Sequence, residues 1–126
     1  MKQLLALAAA GEAATGLVLL VYPPIVIRLL FGAEIAGAAV VMSRIAGISL
    51  IALGLACWHG GDADSRADRA FLGMLSYSLL ATLYLGYVGI AGDLVGILLW
   101  PAIVLHAVLT FLLARAWFAP PREPLE

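Results

Sequence analysis

The residues AEIAGAAVVMSRIAGISLIALGLACW, positions 33–58, decide how the rest of the chain reads. The hydrocarbon core of a bilayer is roughly 30 Å thick and takes about 20 apolar residues per helix, so this run is long enough to cross it. It carries a single charge, Arg44, near its middle. A charged side chain at that depth costs at least roughly 2.5–3.5 kcal/mol on insertion scales, and it therefore calls for a partner.

Working outward, three more apolar runs pass the same length test, and spans are expected at about 3–22, 34–58, 70–92 and 94–118. Between the first two, Pro23-Pro24 stops a helix, because proline lacks the amide donor and pushes its predecessor out of helical geometry. The segment IVIRLLFG that follows is too short to span. It reads as a helix of residues 25–31 lying in the interface, with Arg28 reaching to the headgroups. The expected fold class is all-α: a polytopic membrane protein forming a four-transmembrane-helix up-down bundle, with a short interfacial helix between helices 1 and 2. A single domain covers 1–126, since the spans leave no length for a separate soluble unit.

Composition agrees: 64% of the 126 residues are hydrophobic and 12% charged, far from the usage of soluble domains. The net charge of −1 and the scattered basic residues exclude the electrostatic footprint of nucleic-acid binding. Cys57 is the only cysteine, which rules out an internal disulfide and leaves a buried, inert thiol as the expectation. Lys2 followed by LLALAAAG resembles a secretory signal, yet apolar character resumes after Glu12 as GLVLLVY, so the segment is expected to be a retained membrane helix. Lys2, Arg66, Arg69, Arg115 and Arg122 fall on the side of both termini, against Arg28 on the other, and the expected orientation has both termini cytoplasmic.

The spans carry few polar groups, and each has a face. Ala8, Glu12 and Gly16 recur at four-residue spacing in the first. In the second, Gly37, Val40, Arg44, Gly47, Ile51 and Gly54 share a side, and small residues there let backbones approach closely in lipid. The third presents Gly73, Tyr77, Leu80, Tyr84 and Tyr87 as a stripe, read as helix contacts with a quinone or substrate pocket as the alternative. Ala102, His106 and Thr110 share a face in the fourth, which Pro101 should kink and Asp93 should cap.

Counting about 1.5 Å per residue from the non-cytoplasmic ends puts Glu12 about 15 Å deep, Arg44 about 15 Å and His106 about 18 Å. A midplane polar network of Glu12, Arg44, His106, Tyr77 and Tyr84 is therefore expected, with Glu12 and Arg44 as direct partners. It is either a fixed ion pair that pins helix register or a proton or substrate site. No catalytic constellation is visible, which argues against an enzyme. No cofactor is expected: His106 is the only mid-membrane histidine, so one chain cannot supply bis-histidine haem ligation. Nor is a metal, since Asp62, Asp64 and Asp68 lack the glycine and glutamate of a calcium loop.

The early GxxxTG stretch (Gly11, Thr15, Gly16), the proline break (Pro23, Pro24) and the LLFGAE segment (Leu29 to Glu34) resemble small uncharacterised four-helix membrane proteins of bacteria and, in outline, the DoxX-type family. Some DoxX-type proteins are associated with membrane redox enzymes. The resemblance thus implies an accessory or interaction subunit in the bacterial inner membrane, surrounded by lipid and docked on a membrane-protein partner or another copy. A membrane glutamate in the first of four helices, here Glu12, is also similar to small multidrug transporters. That likeness implies a proton-coupled transporter acting as a dimer. It departs from those proteins in Arg44 and in the IVIRLLFG insertion.

Overall fold

The structure is a computed structural model and describes residues 2–58 and 64–119, with only the backbone described for 64–68. The described residues form helices and no strand: α1 (Lys2–Val21), α2 (Pro23–Phe31), α3 (Ala38–Trp58), α4 (Asp64–Ala91) and α5 (Leu99–Phe118). Four of them are long and apolar enough to cross a membrane, namely α1, α3, the Arg69–Ala91 portion of α4, and α5. The four-span helical bundle expected from the sequence is the fold.

The bundle is built from two pairs, α1 with α3 and α4 with α5, joined by a sparser seam. Glycine dictates the first pair. A Cβ on Gly16 would sit 2.6 Å from the Gly47 carbonyl oxygen, and one on Gly54 would sit 2.7 Å from that of Ala9. The two backbones therefore touch, which only small residues permit. These contacts also fix the antiparallel register: Gly16 is level with Gly47 and Ala9 with Gly54, so Ile51 is level with Glu12, and Arg44 with Leu19. The second pair packs through large side chains instead, with Phe71 stacked on Trp117 at 5.5 Å and Met74, Leu109 and Leu113 beside them in the core.

At one end α2 starts on Pro23 and Pro24 and stops at Gly32, whose φ of +66° lets its amide close back onto the Arg28 carbonyl at 2.9 Å. Arg28 stays on the surface and meets Glu34 at 3.8 Å. The next carbonyls, of Leu29 and Leu30, are satisfied from a distance. Leu98 donates its amide to Leu29 and Gly96 donates to Leu30, each at 2.8 Å, so the α4–α5 connection is stitched to the end of α2. Gly96 has to be glycine here, because a Cβ would run into the α2 backbone.

Several boundaries differ from the sequence reading, each for a local reason. α3 begins at Ala38, four residues after the expected start at 34, because Gly37 with φ +57° interrupts the helix there. α4 extends outward to Asp64. α5 begins at Leu99 rather than 94, since Gly92 turns the chain at φ +81° and the connection is used to reach α2. Pro101 consequently falls in the first turn of α5, where an amide has no helical acceptor, and the expected mid-helix kink is absent. Asp93 lies outside the helix and does not cap it; the N-cap is Leu98, with no side-chain bond. Residues 59–63, with Asp62, and the tail beyond residue 119 lie outside the described residues, whereas the backbone at Asp64 and Asp68 belongs to α4 instead of a loop.

Candidate functional site

Inside the spans, five hydroxyl groups are satisfied within their own helix. Thr15, Ser43, Ser49, Thr82 and Thr110 each donate to the carbonyl four residues earlier, at 2.7–3.0 Å. The groups that must look further gather in the seam between the two helix pairs.

Glu12 is only 6% exposed, flanked on its own helix by buried Ala8, Ala9 and Gly16. Across the seam its Oε1 lies 3.4 Å from Nε2 of His106 on α5. Both side chains are nearly enclosed, at 8% and 12% exposure. That contact is at charge-pair range but is not aligned as a hydrogen bond. The other ring nitrogen, Nδ1, is 2.8 Å from the Ala102 carbonyl. A carbonyl can only accept, so Nδ1 carries a hydrogen, and this assigns the tautomer. A neutral ring then turns the lone pair of Nε2 toward the carboxyl group. By elementary electrostatics, a carboxylate facing that lone pair is unfavourable, and either a neutral carboxyl group or an imidazolium makes the contact attractive. Carboxylic acid with imidazole, or carboxylate with imidazolium, both leave the pair neutral.

Tyr77 of α4 completes the cluster. Its ring meets the edge of His106 at a centroid distance of 5.8 Å and 65° between planes, and its phenol interacts with Glu12. Ser78, the next residue of α4, is completely buried. Among the described residues, Ser78 Oγ and His106 Nε2 are buried polar atoms with no hydrogen-bond partner. Three helices, α1, α4 and α5, thus bring a carboxyl group, a phenol and an imidazole together.

Two members of the expected network lie elsewhere. Arg44 is exposed on the outer face of α3 and is not the partner of Glu12. The register explains why: with Arg44 level with Leu19, it sits seven residues from Glu12 along the axis, about 10 Å, as well as on the wrong side. Tyr84 is 67% exposed on α4 and takes no part in the cluster. Ser78 flanks Tyr77 in the sequence but is not a member of the expected network. Its signal was the Phe71, Met74, Ser78 spacing, which repeats at helical period and puts a hydroxyl in line with two core residues.

The arrangement can hold, share or pass a proton. It contains no activated nucleophile, and among the described residues no three of His, Cys, Asp and Glu come together as metal ligands. Compared with models of known protein families, with curated proteins and with solved structures, the chain finds no match.

Proposed function

We propose that this chain is an accessory or interaction subunit of a larger membrane complex, a redox complex if the DoxX-type resemblance is a true kinship. The observation that carries the reading is the enclosure of Glu12. A carboxyl group 8% exposed and neutralised by His106 stabilises a bundle without offering a solvent-reachable site. The outer face of α1 supports docking: Ala10, Gly11, Ala14 and Thr15 are exposed there, and a Cβ on Gly11 would meet nothing within 4 Å. A partner helix could approach α1 on this side as closely as α3 does on the other.

In this reading the protein sits in the bacterial inner membrane with both termini cytoplasmic, on the strength of Lys2, Arg69 and Arg115 at one end against Arg28 and Arg44 at the other. Reporter fusions to the C-terminus should read cytoplasmic; a periplasmic signal reverses the orientation. The contact of Glu12 with His106 across a sparse seam favours a second reading, a proton-coupled transporter acting as a dimer with Glu12 as its site. One experiment separates the two. Glu12→Cys in a Cys57→Ala background should resist a membrane-impermeant thiol reagent from both sides while a partner protein co-purifies with the wild type. Rapid labelling of Cys at position 12 without a partner supports the transporter.

A further inference from the structure

The seam leaves Arg44 unused, and its placement identifies a ligand. Continuing the α1–α3 register puts Arg44 level with Leu19, three residues inside Tyr22, or about 4–5 Å below the level at which α1 ends and interfacial α2 begins. Helical side chains lean back toward their own N-terminus, and the N-terminus of α3 lies at this same end. An arginine so placed reaches the phosphate plane along its apolar stem while its backbone stays in hydrocarbon. Around it Val41, Met42, Ile45 and Ile48 are each at least 50% exposed, an apolar wall for acyl chains.

Alternative partners fit poorly. Among the described residues no carboxylate pairs with Arg44, and the one anion within the spans, Glu12, is buried and already engaged. A second copy of the chain would bring the same buried Glu12, a Glu34 already paired with Arg28, and Asp93, which lies in the α4–α5 connection outside the spans. Arg28, the other cation at this end, is held by Glu34. What remains at the right depth, and matches a guanidinium in charge and fork geometry, is a phosphodiester.

We propose that Arg44 binds the phosphate of a membrane phospholipid whose acyl chains lie along the outer face of α3, in the leaflet at the α2 end. The arginine thereby acts as a lipid anchor on the opposite side of α3 from the core, independent of any subunit role.

Native mass spectrometry of the purified full chain tests this, with phosphatidylglycerol titrated against diacylglycerol of the same chains. Wild type should retain phosphatidylglycerol, and Arg44→Gln should bind it about tenfold more weakly, the scale of losing one charge-assisted hydrogen bond. Arg44→Lys should fall between them, and Arg28→Gln should match wild type. Helicity and melting of each variant in detergent establish that it is folded. Equal retention by wild type and Arg44→Gln overturns the proposal, as does equal binding of diacylglycerol; either outcome would leave a carboxylate on another membrane helix as the partner.

Discussion

The two sides of α1 meet their neighbours by opposite means. Toward α3, Gly16 and Ala9 press backbone against Gly47 and Gly54. Toward α4 and α5 the contact is sparser, and Glu12 reaches across it to His106 and Tyr77. In lipid there is no hydrophobic drive to bring helices together, so each interface needs its own source of attraction. Close packing supplies it on one side. On the other a polar group does, at a place where the alternative is a charge in hydrocarbon.

The largest effect expected from breaking this contrast is on the polar side. His106→Leu or Glu12→Leu should each lower stability by about 3–5 kcal/mol, since each leaves the other group buried without its partner. The double variant should fall short of the summed losses by at least about 1 kcal/mol, measured by reversible unfolding in bicelles. Additive losses would mean that the two residues act separately and that the seam is held by packing alone.

Next in size is the close-packed side. Gly16→Ala or Gly47→Ala should cost about 1–3 kcal/mol in the same assay, because the added methyl meets a carbonyl rather than a movable side chain. Gly11→Ala and Gly86→Ala, where a Cβ meets open space, should stay within about 0.5 kcal/mol. Equal costs at all four positions would show that helix propensity, not contact, governs the glycines. The smallest effect belongs to Pro101→Ala, expected within about 0.5 kcal/mol because the proline occupies a first turn and removes no helical bond.

The sequence reveals the spans because a run of apolar residues interrupted by one charge is a one-dimensional signal. It reveals Glu12, Tyr77 and His106 as groups that need partners for the same reason. Excluding Arg44 as the partner of Glu12 needs the axial register of α1 against α3, and that is set by Gly16 against Gly47, a contact between segments that spacing within either helix cannot supply. The start of α3 matters as much. Counting from Glu34 makes Arg44 a midplane charge, whereas the αL turn at Gly37 and the register with α1 place it near the headgroups. Pro101 fails for a similar reason: its effect depends on where α5 begins, and the α4–α5 connection delays that start to reach α2.

That reach has a consequence for how the chain is made. Until residues 96 and 98 leave the ribosome, the carbonyls of Leu29 and Leu30 at the end of α2 have no amide from within the chain to meet them. An insertion intermediate with only the first two spans in place must satisfy them with interfacial water or a chaperone. Arrival of the final hairpin then closes the structure at a point nearest its own beginning. A chain truncated before residue 96 would keep those two acceptors open to water.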